Sequence, residues 1–120
     1  MVNVSITFDD TEVQKMLRKM PPAIRTAIER FLIKAGLVIK SSAKANAPVR
    51  TGRLRDSISS KVDKLRQEAV IGPNVEYDIY QEFGTKYMKA QPYMRPALED
   101  NVDNIRDIFV REIDLVIKRL

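Results

Sequence analysis

The chain has 120 residues, 44% of them hydrophobic, and 21 Lys plus Arg against 16 Asp plus Glu give a net charge of +5; that is the size of one globular domain, because two would each be left with too little core. With no Cys and no His, thiolate nucleophiles, imidazole bases, Ser-His triads, zinc fingers and haem ligation are all excluded. No stretch approaches the roughly 20 apolar residues of a membrane span, and residues 1–20 lack the apolar core of a secretory leader, so the chain is expected to stay in the compartment where it is made.

Val2, Val4, Ile6 and Phe8 alternate with Asn3, Ser5 and Thr7, the pattern of a strand with one buried face. Asp10 or Thr11 then caps a short helix whose stripe is Val13, Met16, Leu17 and Met20, and Pro21-Pro22 closes it while opening the next. That next helix, about Pro22 to Ala45, is the clearest element. Ile24, Ala27, Ile28, Phe31, Leu32, Ala35, Val38 and Ile39 share one arc, with Arg25, Arg30, Lys34, Lys40 and Lys44 opposite. Ile33 and Leu37 stand in the middle of the basic side, either as stray exposed aliphatics or as a second contact surface.

The helix breaks at Ala47-Pro48-Val49-Arg50-Thr51-Gly52, and Thr51 can cap a turn through Leu54 and Ser57. Ile58 to Val62 and Ala69 to Ile71 read as a hairpin joined by the polar stretch Asp63 to Glu68, ended by Gly72-Pro73-Asn74. Val75, Ile79 and Phe83 fit a two-turn helix closed by Gly84, although Val75, Tyr77 and Ile79 also alternate as a strand would. From Pro96 to Leu120 a long final helix carries the stripe Leu98, Val102, Ile105, Phe109, Ile113, Val116 and Leu120. Phe31 and Phe109 are the largest side chains on the two long stripes and are expected to pack together. Ile108 with Leu115, and Val110 with Ile117, fall outside the final stripe, more apolar surface than a small sheet can cover. The expected class is therefore α+β, one domain over residues 1–120, with two long helices on a small, mostly antiparallel sheet and short extra helices.

Charge is uneven along the chain. Residues 21–72 hold 11 Lys or Arg against 4 Asp or Glu, whereas residues 96–120 hold 4 against 6, a division that suits either a nucleic-acid surface or complementary faces on one molecule. The only acid-base cluster of note is Glu76, Asp78 and Glu82 beside three tyrosines; its spacing equally describes a solvated helix face, and there is no Trp to stack on a sugar. No phosphate-cradling, dinucleotide-binding or calcium-loop motif is present. Arg50, Arg53 and Arg55, with the basic helix face, could neutralise phosphates without reading sequence, which makes a basic nucleic-acid-binding accessory protein the alternative to a structural role.

Three phrases occur in order: Ala47-Pro48-Val49-Arg50-Thr51-Gly52-Arg53-Leu54 with Ser57, then Tyr80-Gln81-Glu82-Phe83-Gly84-Thr85, then Ala90-Gln91-Pro92-Tyr93-Met94-Arg95-Pro96-Ala97. In this order, with a long helix before and after, the chain resembles the tailed-phage morphogenesis family of neck and tail-completion proteins, typified by the gene-product-ten protein of lambdoid phages. The resemblance implies a non-enzymatic subunit of the head–tail connection, neck, tail-completion or tail-terminator-like, that forms a homo-oligomeric ring and contacts other neck and tail proteins. It implies a place in the virion after synthesis in the host cytoplasm, with no catalytic residue, cofactor, metal, membrane or small-molecule substrate, and at most non-specific contact with passing DNA. A head-to-tail ring also offers a use for the charge division: Arg30, Ile33, Lys34 and Leu37 of one subunit against Asp103, Asp107 and Ile108 of the next.

Overall fold

The structure is a computed structural model that describes residues 3–8, 11–47, 53–73 and 92–119. In chain order these form β1 (Val4–Ile6), α1 (Thr11–Lys19), α2 (Pro22–Asn46), α3 (Arg53–Ser57), β2 (Ser59–Asp63), β3 (Glu68–Gly72), α4 (Met94–Glu99) and α5 (Val102–Arg119). The expected helix or strand over Val75 to Phe83 lies outside the described residues, as do Val2 and Asp10.

The sheet is antiparallel with order β1-β3-β2, and its register sets Val4 opposite Ile71, Ile6 opposite Ala69, and Val62 opposite Ala69. Because side chains alternate across a strand, these residues and Ser60 share one face, and α2 lies across it. Ile28, Leu32, Ala35, Ile39 and Ala43 of α2 are buried there together with Ile58, Ala69 and Ile71. Closeness is set by Gly36: a Cβ at that position would collide with Ser60 Oγ and meet Ile71 Cγ1 at 3.9 Å. A small residue on the inner face of β2 thus has a packing reason, since a larger side chain than Ser opposite Gly36 would hold helix and strand further apart.

Helix α2 ends where the following proline requires. Ala47, which precedes Pro48, is extended at φ −67° and ψ 140° while its N–H still donates to Ala43 O at 2.9 Å, because an X-Pro position disfavours the helical region. The start needs no side-chain cap: Pro22 takes a first-turn position that lacks an intrahelical donor bond in any case. In α1, Leu17 is buried and Val13 and Met20 pack on the core, but Met16 points to solvent, so the stripe is narrower than its spacing suggested. The Gln14 side-chain amide donates to Phe8 O and ties α1 to the end of β1.

The expected final helix from Pro96 is two helices. Asn101 Nδ2 donates to Ala97 O at 2.7 Å, Asp100 N to Pro96 O at 2.9 Å, and Ile105 N to Asn101 O at 2.8 Å, so Asn101 ends one helix with its side chain and begins the next with its carbonyl. Tyr93, Met94 and Ala97 of the first segment are fully buried against the C-terminal end of α2. Leu98 and Val102, expected on the continuous stripe, are instead exposed at the elbow. Helix α5 then runs back antiparallel along α2 and packs chiefly on it, so the layers are sheet, α2, α5.

Candidate functional site

The α2–α5 seam centres on Phe31 and Phe109, edge to face with ring centroids 5.0 Å apart, a geometry that sets the positive ring edge against the negative ring face. Ile105, Ile108, Phe109 and Ile113 are only partly buried on this seam. Ile108 therefore belongs to the inner side of α5, a correction to its placement outside the stripe: the buried arc of α5 is wider than its main stripe. Beside the phenyl rings Lys34 Nζ donates to Glu112 Oε1. Glu112 is 3% exposed, whereas the Lys34 side chain is 57% exposed, so the pair is a lid in which a solvated ammonium covers a buried carboxylate.

Neither partner of that bridge was legible as such, although a signal existed. Ile105, Phe109, Glu112 and Val116 follow i, i+4, i+7 and i+11, which puts a carboxylate on the buried stripe; Phe31, Lys34 and Val38 do the same for an ammonium on α2. Towards the C-terminus of α5 the seam opens into a groove of about 270 Å³ lined by Ala23, Thr26, Arg30, Val116 and Arg119.

Outside the seam both helices keep large apolar side chains in solvent. Ile33 and Leu37 are 44% and 50% exposed, and Val110, Leu115 and Ile117 of α5 are exposed as well. Leu37 lies three residues beyond Lys34 and Leu115 three beyond Glu112, so the ion pair is flanked on each helix by an uncovered aliphatic. Arg30 is exposed one turn before Lys34. Asp103 and Asp107 are exposed at the other end of α5, and Asp103 Oδ1 is 3.6 Å from Arg106. The structure thus brings Arg30, Ile33, Lys34 and Leu37 onto one side of α2, engages Lys34 within its own chain, and separates Ile108 from the exposed acids.

Of the other sequence-picked residues, Leu54 is buried in α3, with Ser57 Oγ donating to its carbonyl at 2.7 Å. Arg55 is part-exposed, 3.9 Å from Asp56. Pro92 and Arg95 are exposed, and Pro96 is half-buried in the first turn of α4. Pro48, Arg50, Thr51, Gly52, Tyr80, Glu82, Phe83, Gly84 and Thr85 lie outside the described residues, as do Glu76 and Asp78 and the side chain of Arg53. Among the described residues no helix is long and apolar enough to cross a membrane.

The chain matches the family described as "Bacteriophage HK97-gp10, putative tail-component" over residues 11–84. It belongs to that phage tail-component family, which agrees with the resemblance carried by the three sequence phrases. No curated protein and no solved structure matches it at the significance asked of a relative.

Proposed function

We propose that this chain is a non-enzymatic structural subunit of the phage head–tail connection, neck or tail-completion in type, that works as part of a homo-oligomeric ring in the virion. The observation that supports this reading best is the unfinished outer surface of the α2–α5 pair, where Ile33, Leu37, Val110, Leu115 and Ile117 stay in solvent beside a seam that is itself half covered. Several large aliphatics left in solvent along both flanks of one helix pair mark places where another macromolecule sits. The chain is also more extended than a compact monomer: its radius of gyration is 16.4 Å and its extents 56 × 25 × 20 Å, against about 14 Å for a globule of this length.

Within this reading Ile33 and Leu37 supply attraction and Arg30 register, since exposed ion pairs contribute below about 1 kcal/mol each. Lys34 contributes less than its position suggested, because it already covers Glu112. Sedimentation of the Ile33→Asp, Leu37→Asp double variant tests the role: loss of oligomers with a folded monomer supports it. Normal assembly would turn the basic side of α2 towards DNA instead, with a steep salt dependence of binding as its mark.

A further inference from the structure

The two ends of the molecule carry opposite charge and each carries an uncovered aliphatic group. At one end is the β2–β3 turn, residues 64–67. Asp63 Oδ1 accepts from Leu65 N at 3.0 Å and from Arg66 N at 3.1 Å, while Gln67 takes φ 52° and is buried, its side-chain amide 3.5 Å from Arg25 O in the first turn of α2. An Asx-type turn and a left-handed residue give the tip a fixed shape. That shape holds Leu65 out in solvent, 92% exposed, the most exposed large aliphatic among the described residues. Lys64 and Arg66 flank it, Arg66 Nε lying 4.0 Å from Asp63 Oδ2, and Arg18 of α1 lines the same shallow surface as Leu65, Arg66 and Glu68, so the tip keeps a net excess of one cation.

At the other end is the α4–α5 elbow. Asn46, in the last turn of α2, has its side-chain amide 3.5 Å from Tyr93 O just before α4, so the elbow lies at the far end of α2, about 32 Å along the helix from the Arg25 turn that meets the hairpin at 1.5 Å per residue. There Leu98 and Val102 are exposed, with Glu99, Asp100 and Asp103 around them, Asp103 standing 3.6 Å from Arg106 while Glu99 and Asp100 are exposed. A folded chain gains nothing by itself from holding a leucine in water among cations at one end and a leucine and a valine among carboxylates at the other.

We infer that the hairpin tip of one copy docks on the α4–α5 elbow of the next, with Leu65 set against Leu98 and Val102 and with Lys64, Arg66 and Arg18 facing Glu99, Asp100 and Asp103. Made in one direction only, as a ring requires, the contact is heterologous and closes into a ring or runs on as a chain, whereas made reciprocally it would stop at an antiparallel dimer. It is too small to hold two copies alone, and it rests on the oligomeric reading above, in which the α2–α5 face supplies the main area. Its contribution is direction: the excess of cations at the tip and of carboxylates at the elbow disfavours tip-to-tip and elbow-to-elbow pairing.

The absence of native cysteine makes the test clean. In the full chain carrying Leu65→Cys and Val102→Cys, mild oxidation or a short thiol cross-linker is expected to give a ladder of dimers, trimers and higher species on a denaturing gel. Mixing the two single variants gives dimers only, and each single variant alone remains monomeric on the gel. Separately, Lys64→Glu with Arg66→Glu is expected to weaken self-association up to about tenfold, recovered by Asp100→Lys with Asp103→Lys in the same chain. Oligomers in sedimentation with no ladder, or dimers from a single variant, overturn the tip-to-elbow contact and leave the ring reading standing. A chain that stays monomeric at every concentration overturns both.

Discussion

Helix α2 has two packed sides that differ in kind. Towards the sheet it is dry and closed, with Leu32, Ala35, Ile39 and Ala43 at 0% exposure and a glycine that admits the strand; towards α5 it is half covered, centred on one aromatic pair and sealed at the edge by an ammonium over a carboxylate. The first side is what a stable small domain needs from its limited core. The second resembles the edge of an interface, where aromatic contact and charge sit together and aliphatics wait at the rim. The helix therefore joins a finished fold to a surface left for a partner.

The sharpest way to break that comparison is to truncate one large side chain on each side to alanine. Leu32→Ala is expected to cost about 2–5 kcal/mol, as for any fully enclosed leucine, whereas Phe109→Ala should cost roughly half of what a buried phenylalanine does. Chemical denaturation of the two variants checks it, and a Phe109→Ala loss of the full value for an enclosed phenylalanine, about 3–5 kcal/mol, would mean that the α5 side is as closed as the sheet side.

The sheet side can be probed by filling instead of emptying. Gly36→Ala is expected to destabilise by about 1–3 kcal/mol through overpacking against Ser60. In a Ser60→Ala background the obstructing hydroxyl is gone, the nearest remaining atom is Cβ of residue 60 at 3.4 Å, and alanine's better helix propensity, worth about 1 kcal/mol, should emerge. A double-mutant cycle read by thermal unfolding would show strong coupling, and additivity would contradict the close approach.

On the α5 side the ion pair should respond asymmetrically. Lys34→Met leaves a carboxylate buried without its cation, while Glu112→Gln leaves only a solvated ammonium, so the lysine variant should be the less stable by about 1 kcal/mol. Urea midpoints of the two single variants decide the order. The smallest stability effect belongs to the rim: Ile33→Asp with Leu37→Asp should leave the unfolding free energy within about 0.5 kcal/mol of the parent, because neither side chain is enclosed. Circular dichroism melts beside sedimentation would separate a loss of assembly from a loss of fold.

The sheet side was legible in the sequence and the α5 side was only partly so, for a physical reason. The long arc of α2, its stop at Ala47-Pro48 and the hairpin from Ser59 to Gly72 follow from local periodicity and proline sterics, and they stand within a residue or two of expectation. The elbow does not follow from periodicity. Leu98 and Val102 continue the apolar spacing of α5, and Glu99, Asp100 and Asn101 are all compatible with helix, so the break is decided by one side-chain amide competing for the carbonyl of Ala97. In the same way Lys34 and Glu112 read as ordinary surface charges until α5 is laid antiparallel on α2, a fact that no local pattern contains.

The break at Asn101 also bears on how the chain breathes. Helix α4 is fixed by three fully buried side chains, and α5 starts afresh from the Asn101 carbonyl with its own hydrogen-bond ladder. Its opening therefore does not require the sheet or α4 to come apart. In native-state hydrogen exchange such a segment forms a separate low-energy unit: backbone amides of residues 105–118 should exchange through openings less costly than those that release residues 28–43. Assembly that covers α5 should slow those amides first.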